Sequence, residues 1–183
     1  MIKILSAPLS QEEIDGLKIG DEVLLQGTAY TARDAAHKRM TEALTRGEAL
    51  PFSIRGQIIF YVGPCPAPEG RVIGSAGPTT SGRMDAYTPA LLEQGLKAMI
   101  GKGPRSAEVI AAMQKNGAVY LAAIGGAGAY LAQRITAADP VAYSDLGPEA
   151  ILKLELKDFP CIVAIDSKGN NIYDRNMNEG ESA

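Results

Sequence analysis

Short continuous apolar runs alternate with stretches of helical period along this chain. "IKIL" and "DEVLLQGTAYTA" predict two strands, rich in β-branched and apolar residues and parted by a turn at Gly20. "TARDAAHKRMTEALTRG" predicts a helix in which Ala36, Met40, Ala43 and Leu44 share one face and Gly47 ends the run. Thr31 is placed to cap it, with Asp34 as the reciprocal partner of a capping box. "GQIIFYVG" reads as a buried strand, and "GPCPAPEG" after it as a proline-locked loop. In "YTPALLEQGLKAMIG" the expectation is one helix, with Thr88 as cap, Pro89 at its first position, and Leu92, Leu96, Met99 and Ile100 along one side. "GPRSAEVIAAMQKNG" repeats that plan from Pro104, facing Val109, Ile110 and Met113 inward. A buried strand "AVYLAAIGG", a short helix "AGAYLAQRI", and the alternating "AILKLELKDFPCIVAIDSKGNNIYD" with its strand "CIVAI" and turn "DSKGNN" complete the chain. Strands dominate both ends and helices fill the middle. That order predicts an α/β fold, one domain over 1–175 with mixed sheets and helices on one side, and a frayed tail over 176–183.

Composition narrows the function classes. The 183 residues are 46% apolar and 21% charged, ordinary globular material for one domain. A net charge of −3 argues against a nucleic-acid groove or an anionic-membrane surface. Any anion must therefore meet locally placed cations. Two isolated cysteines, Cys65 and Cys161, read as reduced thiols, and with one histidine they are too few for a metal site of the chain's own. No run approaches the length of a membrane span, and the expected setting is the cytoplasm.

Four constellations carry candidate chemistry. Arg33 falls at the start of the first long helix, where unpaired amides and the dipole favour an anion, and His37 follows one turn later. "GSAGPTTSGRMDAYTP" sets glycines and the hydroxyls of Thr79, Thr80 and Ser81 beside Arg83, whose planar donor fork suits a carboxylate. Its composition allows either a polar turn or an anion cradle. Lys102 stands between two glycines at what reads as the junction of two helices. "IGGAGAYL" lacks the third glycine of a dinucleotide fingerprint and reads as close strand–helix packing. Arg33, Arg83 and Lys102 together would satisfy a small dicarboxylate, yet an electrophile and a convincing general base are missing.

"LKIGDEVLLQGTAYTARDAAHKRM", "YVGPCPAPEGRVIGSAGPTTSGRMDAYTPALLEQGLKAMIGKG" and "YLAAIGGAGAYLA" together resemble the β-subunit of iron–sulfur hydro-lyases, the class I fumarases and L-tartrate dehydratases. The likeness runs from about Leu5 to Asp174. It implies a swivelling β/β/α-type domain that closes over a four-iron, four-sulfur cluster held by a separate α-subunit, with no metal on this chain. It further implies substrate-carboxylate binding by Arg33 and Arg83, a contact from Lys102, and proton exchange at Thr79. His37, Thr80 and Asp85 lie inside the matching motifs as supporting residues with no chemical step assigned. The implied partners are that α-subunit, in a higher α/β hetero-oligomer, and a small dicarboxylate. A class I fumarate hydratase subunit is the first expectation, an L-tartrate dehydratase subunit the alternative, and a non-catalytic anion-binding module on the same fold the third.

Overall fold

One seven-stranded sheet organises residues 1–124 and 126–174, the part of the chain described by the computed structural model. The tail expected over 176–183 lies outside the described residues. In chain order the elements are β1 (Lys3–Ala7), α1 (Gln11–Asp15), β2 (Glu22–Thr31), α2 (Asp34–Thr45) and β3 (Ile58–Phe60). A 3-10 turn (Ser81–Met84), α3 (Thr88–Glu93), β4 (Ala98–Gly101), α4 (Ala107–Asn116) and β5 (Val119–Ala122) follow. The last are α5 (Gly128–Ala132), β6 (Ile135–Ala142), a second 3-10 segment (Ser144–Glu149) and the long β7 (Ile151–Ile165).

The sheet closes on itself. β2, β3, β4 and β5 pair in parallel, β5 pairs antiparallel with β7, and β7 returns antiparallel to β2. β1 and β6 branch from this ring, on β2 and β7 respectively. Side chains alternate across it with period two. Ile58, Phe60, Ala98, Ile100, Val119 and Leu121 enter one apolar cluster, whereas Ile59, Tyr61, Met99 and Tyr120 enter a second. Both faces of these strands are thus buried, which is why their sequences are continuously apolar. Each fully buried Ile or Phe here contributes roughly 1.5–3 kcal/mol relative to exposure.

The chain is a mixed α/β domain. α2, α3 and α4 cover the second cluster through Met40, Leu91, Leu92, Val109 and Met113. The short α1 and α5 instead send Ile14 and Leu131 into the first cluster. Several local expectations are corrected. Thr31 does not cap α2: Ala32 still donates to Phe60 O (3.2 Å), so extended backbone continues to Arg33, which is the N-cap without a side-chain cap bond. Thr31 instead donates to Ala150 O (3.2 Å) and accepts from Leu152 N (2.9 Å). Thr88 does not cap α3 either. Tyr87 is the N-cap, and Thr88 Oγ1 donates to Met84 O at 2.9 Å. The single helix expected through Ile100 ends at Gly95, whose φ of +100° suits glycine alone, and Met99 and Ile100 belong to β4. α4 starts after Ser106, not at Pro104, because the Ser106 side chain accepts from Val109 N. α1 and β6 were not expected, although "SQEE" holds the capping box that Ser10 and Glu13 form.

Candidate functional site

The parallel strands β2, β3 and β4 deliver their carboxyl ends to one edge of the ring. Past β2 stands Arg33, past β3 the segment Tyr61–Gly63, and past β4 Lys102. The glycine-rich stretch lies along this edge. Thr79 N donates to Tyr61 O at 2.7 Å, Thr80 bridges to Lys102, and Ser81 N donates to Lys102 O at 2.9 Å. Lys102 therefore ends a strand, not a helix, correcting the expected helix–helix junction.

Arg33 and Arg83 approach one carboxylate. Arg83 Nε donates to Asp34 Oδ1 at 3.0 Å, and its Nη2 lies 3.0 Å from Asp34 Oδ2. Arg33 Nε is 3.8 Å from Asp34 Oδ2 and 3.9 Å from Glu149 Oε1, beyond hydrogen-bond reach. Arg33 Nε and His37 Nε2 are buried without a hydrogen-bond partner. Two such atoms about one helical turn apart mark a place where polar valences await a partner. Arg33 rests against Gly63, where a Cβ would come within 2.8 Å of its Nη1. Glycine at that position admits the guanidinium.

His37 sits beneath. It is fully buried, and burial lowers its pKa to about 4, so the ring is neutral near pH 7. Its Nδ1 is 2.8 Å from Arg33 O, which places the proton on Nδ1, donating to that carbonyl, and leaves a lone pair on Nε2. The ring meets Tyr61 edge-on at 5.3 Å. His37 thus touches the backbone of Arg33 from within the core.

Two expected members turn inward. Asp85 accepts from Arg105 Nε (2.7 Å) and Ser106 N (2.7 Å). Ser81 is buried, its Oγ paired with Tyr120 OH (2.8 Å) and accepting from Lys102 N (3.1 Å), so it offers the surface no hydroxyl. Gly101 makes this possible, since a Cβ there would overlap Ser81 Oγ. Thr79 is half-buried, while Thr80, Arg83 and Lys102 are exposed. The close packing read from "IGGAGAYL" places Gly128 against the Ser75–Gly77 segment, with Ala76 N donating to Gly128 O at 3.0 Å.

Sequence reasoning missed Asp34 as an arginine partner, Glu149, Gly63 and Arg105. Asp34 stood in the motif, assigned to a cap it does not form. Glu149 arrives from the far side of the chain with no local signal. Among the described residues no three His, Cys, Asp or Glu side chains converge as a metal-binding group. Cys65 is exposed on the proline-rich loop and Cys161 is buried in the ring. No described helix is long and apolar enough to cross a membrane.

Fold and site together define an α/β domain that presents two arginines, a lysine and threonine hydroxyls from the carboxyl edge of a closed sheet. Residues 2–176 match the family model described as Fumarase C-terminus, and the chain belongs to that family. It is 42% identical over 173 residues to the aerobic class I fumarate hydratase of Salmonella typhimurium, covering 92% of this chain and 30% of that one. Identity to the anaerobic class I enzyme of Escherichia coli is 41% over 180 residues, covering 97% and 32%. A Methanocaldococcus jannaschii chain provisionally named L(+)-tartrate dehydratase subunit beta is 41% identical over 172 residues, covering 91% and 88%. The chain thus spans about a third of the two fumarate hydratases but most of the archaeal subunit.

Proposed function

We propose that this chain is the β-part of a two-subunit cytoplasmic iron–sulfur hydro-lyase that interconverts (S)-malate and fumarate. The observation that supports it most is the meeting of Arg33 and Arg83 at a single carboxylate, Asp34, on the sheet edge that also carries Thr79 and Lys102. A ligand carboxylate takes up the same donors. Dehydration removes a proton from one carbon of malate and hydroxide from its neighbour, yielding fumarate and water. Arg33 and Arg83 hold the carboxylates and stabilise the charge that builds beside them. Thr79 exchanges the proton at its hydroxyl, from a segment that bridges to Lys102 at Thr80 and runs into the turn carrying Arg83. Lys102 fixes the remaining polar end of the substrate. A four-iron, four-sulfur cluster on the α-subunit supplies Lewis-acid chemistry at the hydroxyl. No residue of this chain is its ligand. The α/β pairs join in a higher hetero-oligomer.

The likeness to a chain provisionally named a tartrate dehydratase subunit beta supports a partner α-subunit and keeps L-tartrate as the second substrate. Anaerobic co-expression with an α-subunit, assayed on malate, fumarate and both tartrates, decides the matter. Turnover of malate and fumarate supports the proposal; turnover of tartrate alone moves the assignment to tartrate dehydratase. Hydro-lyase activity of this chain without a partner refutes the divided site. In the active complex, Arg83→Ala should lower kcat/KM at least about tenfold, the loss of a charge-assisted hydrogen bond. Wild-type kinetics would remove Arg83 from the site.

A further inference from the structure

Beneath the site lies an arginine of different character. The Arg105 side chain has no exposed surface, although it sits at the entrance to α4. Its Nε donates to Asp85 Oδ1 at 2.7 Å, and its Nη2 donates to Thr88 Oγ1 at 2.9 Å and Tyr61 OH at 3.2 Å. The guanidinium lies over the rings of Tyr61 and Tyr120, 5.2 and 5.1 Å from their centroids. A buried cation so partnered is costly to assemble and costly to break.

Each partner leads to a site residue. Asp85 is the C-cap of the 3-10 turn that carries Arg83. The carbonyl of Tyr61 accepts the Thr79 amide. The hydroxyl of Tyr120 donates to Gly103 O at 2.9 Å and pairs with Ser81 Oγ, which accepts the Lys102 amide. One guanidinium is therefore joined, within a few contacts, to the segments bearing Thr79, Arg83 and Lys102. We infer that Arg105 is a positioning residue. Its planar fork fixes the spacing between the 79–85 segment and the 101–103 segment, and hence the distance between the cations that grip a dianion. Lysine keeps the charge but has no such fork, so it cannot hold Asp85, Thr88 and Tyr61 at once.

The inference builds on the proposed hydro-lyase reading, and its test separates the two. Amide hydrogen exchange is followed in the full chain and in its Arg105→Lys and Asp85→Asn variants. Exchange at Thr79, Ser81, Lys102 and Ser106 should quicken by at least about tenfold, the weight of one hydrogen bond. Tyr61 N, bonded to Ile100 O in the sheet, should keep its protection. In the α/β complex both variants should raise KM for malate more than they lower kcat, and the double variant should be no worse than either single one. Uniform quickening that includes Tyr61 would reduce Arg105 to a structural residue, and unchanged exchange with unchanged kinetics would overturn the inference. Should Arg105→Lys fail to fold, Asp85→Asn alone decides by the same amides. A wild-type complex inert on every diacid sinks the hydro-lyase reading, while the exchange pattern still judges Arg105.

Discussion

Gly63→Ala isolates the part played by Arg33 without touching the arginine. A methyl built at Gly63 would lie 2.8 Å from Arg33 Nη1, 3.0 Å from its Cδ and 3.4 Å from Pro148 O. Non-bonded heavy atoms settle at about 3.5–4.0 Å, so the guanidinium must retreat by roughly 0.7 Å. The backbone is not what yields, because the nearest atoms belong to the end of a flexible side chain. Gly63 is not among the glycines with positive φ, so alanine is conformationally admissible there and should stabilise by about 0.4–1 kcal/mol through the unfolded state. For the ligand the sign reverses. A charge-assisted hydrogen bond is worth about 1.5–3 kcal/mol, and a misplacement on the order of 1 Å weakens most of it. The expected result is a roughly 10- to 100-fold fall in kcat/KM of the α/β complex with thermal stability unchanged or slightly raised. Gly82→Ala is the control on the same rim, where a methyl meets only Pro104 O at 3.9 Å and kinetics should hold. Diacid titration with steady-state kinetics and a thermal melt read both quantities. Kinetics within twofold of wild type would show that Arg33 does not grip the substrate, and a fall in Tm of many degrees would show that the cost lies in folding.

Acid should destabilise the chain through His37 before its carboxylates titrate. The ring is held neutral by burial with a pKa of about 4 against an ordinary 6.5, so its contribution is complete above pH 6.5 and is lost as pH falls toward 4, roughly 3 kcal/mol in all. Urea midpoints across that window should show the slope, and His37→Gln should flatten it; an equal slope in the variant would place the titration elsewhere. Asp21, held low chiefly by its hydrogen bond from Lys3, acts only below this range. A thiol reagent should modify one cysteine of the native chain and two of the denatured one. Cys65 is exposed, whereas Cys161 is buried and burial raises its thiol pKa. Two rapid equivalents in the native state would contradict the closed ring.

The elements that were legible were those whose pattern had a single physical cause. Ile58–Phe60 and Val119–Ala122 read as strands because both their faces are buried, and α2 read as a helix because Ala36, Met40 and Ala43 pack on one side. Where two causes overlapped, the reading slipped. Leu92, Leu96, Met99 and Ile100 keep helical spacing across a glycine that ends the helix, because the strand beyond it buries both its faces. β6 carries Asp139 and Pro140 in an edge strand with a single buried position, so it shows no apolar alternation. At the site, Arg33, Thr79, Arg83 and Lys102 were individually visible, and the fold brings their segments to one edge. Their distant surroundings were not visible. Glu149 and Arg105 reach the site's surroundings through closure of the sheet and the turn into α4, relations that no local window contains.

Asp34 gives this edge of the sheet its internal logic. Two guanidiniums at one edge repel each other when no ligand is bound, and a carboxylate between them relieves that repulsion. The two arginines are not equivalent. The Arg33 side chain is 26% exposed and lodged against Gly63, so its position is set by packing. The Arg83 side chain is 53% exposed and held through Asp34, an exposed type of pair worth about 0–1 kcal/mol. Exchanging Asp34 for a ligand carboxylate costs Arg83 little, while Arg33 stays where the core puts it. Under the proposed function, Arg33 is the fixed reference and Arg83 the cation that adapts to the length of the diacid. Substrates that differ at the second carbon should accordingly be separated by substitutions that alter the reach of Arg83, and bound less tightly across the board by those that displace Arg33.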